Sequence, residues 1–349
     1  MSHQDSYAAA GVDTAQADRG VDALVEVLKR IEPGRPSRVV PLGRHYAAVL
    51  RVSDTLGVAL STDGVGSKLV VAEQADRLET VGIDCIAMNV NDVVCVGAEP
   101  LAVLDYLAVE QADPGALARI AQGLKVGAEA AGVEIPGGEL AIIPELIRGH
   151  PSPHGFDLCA SCFGTVDLDA IVTGADCAPG DALIGLPSSG LHSNGYTLAR
   201  RVLEPLGLDA TPEELGGASV ADALLEPTVI YVRAALDLLR SDVPVHGMAH
   251  ITGGGLLNLT RLSDSVGWRV DAPLRVPAVC ELIGRLGDVP RAELWEVFNM
   301  GVGFICAVPA DRADDAVALL SRHHPGTARI GTITDRAGVV EVEGCALGA

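Results

Sequence analysis

The sequence predicts a two-domain protein of the α/β (α+β) class, and three observations carry that prediction. First, 349 residues exceed one ordinary domain and suit two, at roughly 100 to 200 residues each. Second, a strand, glycine-rich loop and helix pattern runs through the first half and restarts around Asp167 to Gly180. Third, 48% of residues are hydrophobic but only 3% are aromatic, so the core must be aliphatic. A mean hydropathy of +0.32 excludes a disordered chain. The expected division is residues 1–170 and 171–349, with helices covering a sheet in the second half.

The elements follow in order. Tyr7 to Asp13 reads as a loop feeding an amphipathic helix capped by Asp13 or Thr14 and closed at Glu32-Pro33-Gly34. Val21, Leu24, Val25 and Leu28 recur at i, i+3, i+4 and i+7 and give it one apolar face. Tyr46 to Val52 and Gly57 to Ser61 read as strands, and Thr62 to Lys68 as a glycine-rich loop. Helices are expected over 83–96 and 114–131, the second between a Pro114 start behind Asp113 and a Gly132 stop, with a strand at 101–108 between them. A buried strand surrounds Cys159. Beyond the boundary, Asp181 to Leu186 reads as a strand and Tyr196 to Leu206 as a helix. Val245 to His250 is then a strand, Leu256 to Leu262 a helix, Gly303 to Val308 a strand and Asp311 to His323 a helix. Strands near 328–334 and 338–343 close the chain.

Charge and cysteine usage bound the function. The net charge of -21 argues against nucleic acid, whose phosphates need a basic face. A small phosphorylated ligand stays compatible, because one pocket can be positive or metal-filled within a negative protein. Met1 to Tyr7 has neither a basic nor an apolar leader pattern, and the apolar runs are too short to span a bilayer, so a cytoplasmic protein is expected. The eight cysteines form no framework. The one CxxC, Cys159 to Cys162, lies in a strand that turns i and i+3 to opposite faces, which disfavours a shared metal.

Chemistry concentrates in five segments. On the helix over 83–96, Asp84, Met88, Asn91, Asp92 and Cys95 share one stripe of an otherwise apolar surface, and two buried carboxylates need partners. A divalent cation suits them, since Mg²⁺ takes one or two carboxylates plus phosphate oxygens; the bland alternative is a capping Asp84 with backbone contacts for the others. In Thr62-Asp-Gly-Val-Gly-Ser-Lys68, Gly64 and Gly66 free backbone N–H groups for an anion, Asp63 can hold a metal, and Lys68, one of only three lysines, can reach a phosphate. Pro136-Gly-Gly-Glu139 reads as a turn or as Gly138 presenting Glu139 as a third metal carboxylate. Ser188, Ser189, Gly190, His192, Ser193 and Asn194 lie between a strand and a helix N-terminus, a ready anion site, with Ser193 equally readable as a plain N-cap. Thr252, Gly253 and Gly254 repeat that device behind His250, which contacts substrate or packs in its strand. No GxSxG elbow supports a serine hydrolase.

These segments resemble the phosphoribosylformylglycinamidine cyclo-ligase family, the aminoimidazole ribonucleotide synthetases of purine biosynthesis. The resemblance rests on Ala10-Gly-Val-Asp13, the 62–68 loop, Gly82-Ile-Asp84, Asn91-Asp92, Gly97-Ala-Glu-Pro100 and Gly137-Gly-Glu139, then on Ser188 to Gly195, Leu225-Glu-Pro-Thr228, Ala249 to Gly255 and Phe298 to Gly303. It implies a two-domain fold whose N-terminal strands pair across a homodimer as a barrel. It also implies ATP and Mg²⁺ as cofactors and closure of formylglycinamidine ribonucleotide to aminoimidazole ribonucleotide. Carried onto this chain, Asp63, Asp92 and Glu139 would hold Mg²⁺–ATP, and Asn91 and Gly138 would join the nucleotide site. Lys68 with Gly64 and Gly66 would meet phosphates, and the loops at 188–195 and 252–254 would take the ribonucleotide. The resemblance puts Asp63, Lys68, Asp92 and His250 in the catalytic group. Two segments depart from the family. Pro41 to Tyr46 has one glycine where a glycine-rich flap is usual, and Leu140 and Ile143 stand where Thr and Met are usual. The competing readings are a sister ATP-using enzyme of the same fold, such as a thiamine-phosphate kinase or a hydrogenase- or selenium-pathway enzyme, and a non-catalytic nucleotide-binding paralogue.

Overall fold

A computed structural model describes residues 14–348. The loop expected over Tyr7 to Asp13, the Asp13 cap and the Ala10 to Asp13 motif lie outside the described residues. Helix α1 (Thr14–Leu28) holds its apolar stripe out to solvent, with Leu24 65% exposed. Strands β1 (Val39–Val40), β2 (Ala48–Arg51), β3 (Leu56–Gly64), β4 (Glu99–Val109), β5 (Glu134–Ile142) and β6 (Phe156–Asp167) form one sheet in the order β1-β2-β3-β6-β4-β5. Neighbours run antiparallel except β4 and β5, which are parallel and joined by a crossover helix.

Between β3 and β4 lie α2 (Lys68–Gln74) and α3 (Val81–Cys95). The crossover helix α4 (Pro114–Ala131) has the bounds the sequence predicts. Asp113 caps it by accepting from the Ala116 N–H at 2.7 Å, and Gly132 ends it at φ 77°. Helix α3 is the spine of the molecule: of its 15 residues only Ile83 and Asp92 are not buried. It packs on β3, β4 and β6 and against α4. That crossing is close enough to require glycine, since a Cβ on Gly82 would stand 2.2 Å from the Leu124 amide nitrogen.

The second sheet gathers β7 (Ala182–Pro187), β8 (Gly247–His250), β9 (Gly267–Val270), β10 (Val302–Val308), β11 (Ala328–Thr334), β12 (Val340–Val342) and β13 (Cys345–Leu347). Their order is β13-β12-β9-β11-β7-β10-β8. Every residue of β8 and β10 is buried. Helices α5 (Tyr196–Leu203), α6 (Val220–Leu225), α7 (Val232–Leu239), α8 (Ala278–Gly287), α9 (Arg291–Val297) and α10 (Ala313–Leu320) complete this half. The expected helix over 256–262 is instead a 3₁₀ segment, Gly255–Arg261. Gly254 and Gly255 enter it at positive φ, and the Asn258 amide folds back onto the Gly253 and Gly255 carbonyls. One continuous buried cluster runs from Tyr46 to Leu347 through both halves. No helix among the described residues is long and apolar enough to cross a membrane.

The two faces of the first sheet differ. One carries α3 and α4. The other is bare: Leu60, Leu104, Tyr106 and Phe163 stand on it, each between 37% and 53% exposed. All eight cysteines are free, and the Cys159–Cys162 strand turns Cys162 into the core and Cys159 to the bare face.

Candidate active site

The site forms where the C-terminal end of β3 meets the last turns of α3. Asn89 of α3 fixes the strand end by a reciprocal pair, accepting from the Asp63 N–H at 3.0 Å and donating to the Asp63 carbonyl at 3.1 Å. The Asp63 carboxylate accepts from the Gly64 N–H at 2.7 Å. Asp92 lies three residues beyond Asn89 and so on the same side of the helix. Burial raises the Asp63 carboxyl above its ordinary value, and the charge of Asp92 adds to the rise. Two carboxylates that repel each other at a partly open position suit a divalent cation.

His250, at the end of β8, closes this pair from the other half. The Asn91 amide faces its Nε2 at 3.4 Å, which leaves Nδ1 to donate to Asp92 Oδ1 at 2.9 Å. His250 is fully buried, so it orients the Asp92 carboxylate rather than reaching into solvent. Asn91 is engaged elsewhere. Its amide donates to the Val229 carbonyl at 2.9 Å and accepts from the Tyr231 N–H at 2.9 Å, so it ties the two halves together and is not free for nucleotide.

Lys68 lies deeper than the sequence suggests. Its ammonium is wholly buried at the start of α2. It donates to Asp84 at 2.9 Å, to the His192 carbonyl at 3.1 Å and to the Glu226 carbonyl at 2.7 Å. Three donors and three acceptors leave none for a phosphate. Asp84 also accepts from the Thr228 N–H at 2.8 Å and its hydroxyl at 2.6 Å, so the Leu225-Glu-Pro-Thr228 motif is the seat of an interdomain joint.

Glu139 lies in the middle of β5, not at a turn. In register, Asp63 pairs with Ala160, Ala160 with Asp105, and Asp105 with Gly138. Opposed residues share a face, so Gly138 is on the Asp63 side and Glu139 on the bare side. The third metal carboxylate expected there is therefore absent from the Asp63–Asp92 side. The acid that does share their face is Asp105, which the sequence reading passed over. Gly138 makes room for it, since a Cβ there would meet Asp105 Oδ1 at 2.3 Å. Among the described residues no group of three or more His, Cys, Asp or Glu side chains could hold a metal. Two carboxylates still fit Mg²⁺, which commonly keeps several waters and takes its other ligands from phosphate.

The loops of the second half are largely tied into the protein. Ser188 Oγ hydrogen-bonds Asn299 at 2.8 Å, Ser189 Oγ donates to the Pro227 carbonyl at 2.6 Å, and Ser193 Oγ meets Thr228 Oγ1 at 3.1 Å. Gly190 is buried with its carbonyl accepting from Asn299 at 2.8 Å. The hydroxyls expected to bind anion are thus already engaged. His192 is buried at φ 62°, and burial holds its imidazole neutral, far below the usual value. Asn194 keeps a buried amide nitrogen without a partner, and its Oδ1 lies against Gly253. Thr252 accepts through its carbonyl from the Gly255 N–H at 3.0 Å, leaving Gly253 and Gly254 exposed. Asn194, Gly253 and Gly254 are the part of these two loops still open to a ligand.

Arg261 and Tyr46, which the sequence reading passed over, border the carboxylates, and His45 lies beside Arg261. Arg261, at the end of the 3₁₀ segment, lies 5.0 Å above the Tyr46 ring and makes no hydrogen bond or ion pair with any described residue. Its charge opposes the rise at Asp63. The Tyr46 hydroxyl donates to the Asn258 carbonyl at 3.1 Å, joining the first sheet to that segment. Burial, with Arg261 beside it, lowers His45 to about 4. The available signal was Arg261 itself, an arginine directly after a glycine-rich loop and its first turns.

The family models described as AIR synthase related protein match residues 44–166 (N-terminal domain) and 178–343 (C-terminal domain). A phosphoribosylformylglycinamidine cyclo-ligase of Methanothermobacter thermautotrophicus is 47% identical over 343 residues, covering 97% of each chain. The one from Thermococcus kodakarensis is 47% identical over 91% of this chain and 92% of its own. Among solved structures, AaThiL with AMPPCP and TMP is similar at a TM-score of 0.64 and 16% identity over 94% of each chain. Hydrogenase maturation protein HypE with ATP is similar at a TM-score of 0.60 and 23% identity over 85% of each chain. Those two show a shared fold. Matched along nearly its whole length at close to half of its residues, the chain belongs to the phosphoribosylformylglycinamidine cyclo-ligase family, whose members are carbon–nitrogen bond-forming ligases.

Proposed function

We propose that the chain closes the imidazole ring of formylglycinamidine ribonucleotide at the expense of ATP, giving 5-aminoimidazole ribonucleotide, ADP and phosphate. The observation that carries this reading is the open Asp63–Asp92 pair, set between the two halves with His250 behind it, in a chain of this family. An amide oxygen is a poor leaving group; once phosphorylated it departs as phosphate while the amidine nitrogen attacks the same carbon. Phosphoryl transfer needs positioning and charge neutralisation more than covalent help from the protein.

Asp63 and Asp92 are the residues that hold Mg²⁺, and the ion supplies neutralisation of the ATP phosphates. Asn89 fixes the Asp63 backbone and His250 fixes the Asp92 carboxylate. Arg261 provides the cation facing them, the role the sequence reading assigned to Lys68. Gly64 and Gly66 border the phosphates on the strand side, while Asn194, Gly253 and Gly254 face the ribonucleotide. The first half, residues 1–170, is then the nucleotide and dimerisation unit, and residues 171–349 the second wall of the cleft. A homodimer formed through the bare face of the first sheet and the stripe of α1 is supported by the exposure of both, since a contiguous apolar face of that extent marks an interface. We place the reaction in the cytoplasm, where ATP is supplied.

The test supplies formylglycinamidine ribonucleotide with Mg-ATP and follows ADP together with the aminoimidazole product. Both are expected at equal rates. ADP that forms only with another acceptor would overturn the reading in favour of a sister enzyme, and nucleotide binding without turnover on any acceptor in favour of a paralogue.

A further inference from the structure

Lys68 begins the helix that follows the 64–67 turn, yet its side chain leaves the turn and enters the joint between the halves. It is one of three lysines in the chain and, among the described residues, the only one that is fully buried. Its three hydrogens end on a carboxylate and on two carbonyls of the second half, those of His192 and Glu226. The His192 carbonyl is also held by the Tyr196 hydroxyl at 3.1 Å, and the Tyr196 ring lies 5.7 Å from the ammonium.

The carbonyl held in this way belongs to a residue at φ 62°, a region that non-glycine residues seldom occupy unless their surroundings enforce it. Two residues further on is Asn194, whose buried amide nitrogen has no partner and which touches Gly253 of the neighbouring loop. A second route reaches the same loop: Asp84 holds Thr228, and Thr228 meets the Ser193 hydroxyl. The loop is therefore held at His192 by Lys68 and at Ser193 through Thr228 and Asp84, at the two residues immediately before Asn194.

We propose that Lys68 is a positioning residue that, with Asp84 and Thr228, sets the His192–Asn194 loop of the second half against the 64–67 turn of the first. Nucleotide-side and ribonucleotide-side loops then form one rigid unit, and the turn after β3 determines how the far loop meets its ligand. This inference rests on the proposed reaction only for the identity of that ligand; the coupling of the loops stands on geometry alone.

The test uses the full chain with Lys68→Gln and Asp84→Asn combined, which removes both buried charges together and avoids a stranded one. Thr228→Val is the milder second variant. Hydrogen exchange in the ligand-free protein reads residues 188–195, titration with Mg²⁺–AMPPCP reads nucleotide affinity, and steady-state kinetics read KM and kcat separately. Expected are faster exchange confined to 188–195, nucleotide affinity within about threefold of wild type, and a ribonucleotide KM raised about tenfold or more. Thr228→Val should move loop exchange and KM the same way by less and leave nucleotide affinity unchanged. A large loss of nucleotide affinity with an unchanged loop would overturn the proposal and restore Lys68 to a phosphate contact. Unchanged loop exchange and unchanged KM would overturn it in favour of a purely structural pair. Exchange is measured without substrate, so failure of the ring-closing reading would leave this result standing and separately visible.

Discussion

Two aspartates of α3 lie two turns apart on one stripe and have opposite fates. Asp84 is sealed at 0% exposure against Lys68 and Thr228, whereas Asp92 keeps 13% of its side chain exposed, with only a histidine to hold it. Asp84 is engaged from both halves: its Oδ1 accepts from the Lys68 ammonium of its own half and from the Thr228 N–H and hydroxyl of the other. Asp92 is held on one oxygen by His250 and repelled by Asp63, which leaves it in need of a cation. Residue type and helical spacing are identical in the two places. Depth and partner count separate a joint from a site, because a carboxylate sealed against an ammonium and a threonine is closed to a solvent-borne ligand.

Breaking the open member should cost activity without costing the fold. Asp92→Asn keeps the shape and the His250 contact but loses charge, and turnover should fall about a hundredfold or more with the melting temperature nearly unchanged. Near-normal turnover would remove Asp92 from the metal site. Breaking the sealed member should do the reverse. Asp84→Ala strands the Lys68 ammonium and should cost about 3–5 kcal/mol of stability, read by denaturant unfolding. A loss under about 1 kcal/mol, the range of an exposed pair, would show the joint to be loose.

Arg261 sharpens the comparison from the cation side. Arg261→Met should lower kcat about tenfold to a hundredfold while the fold persists, since one transition-state donor is commonly worth that much. Full activity would return the search for the neutralising cation to its start. The smallest effect concerns pH. Asp63 is raised in the folded protein, so without metal the native state binds a proton more tightly than the unfolded chain does. Stability should therefore fall as pH rises from the ordinary aspartate value through the raised one. Mg²⁺ binds the deprotonated form, so the stabilisation it confers should grow over that window. Thermal melts with and without Mg²⁺ across that range check it; a metal effect independent of pH would exclude Asp63 as a ligand.

What the sequence discloses follows the same division between local pattern and partner. The bounds of α4 are legible because Asp113, Pro114 and Gly132 act on their own neighbours, and α3 is legible from its apolar run. Asp63 and Asp92 are legible as acids at a strand end and on a helix stripe. The side of Glu139 is not, because it depends on the pairing of β4 with β5, where a register shift between Ala102 and Leu104 changes which face each residue takes. Pro136-Gly-Gly reads locally as a turn but is tolerated in β5 because that strand is the sheet edge. The partners of Lys68 and Asn91 are not legible for a related reason. Their partners, Glu226, His192, Val229 and Tyr231, are more than 120 residues away, and no spacing within the motif reports them.

The most direct measurement is titration of Mg²⁺–AMPPCP into the wild-type chain, Asp92→Asn and Glu139→Gln. If the open pair on α3 and β3 is the metal–nucleotide site, Asp92→Asn weakens binding about tenfold or more and Glu139→Gln leaves it unchanged. Loss of affinity in Glu139→Gln with retention in Asp92→Asn would contradict the account and move the metal to the bare face of the sheet.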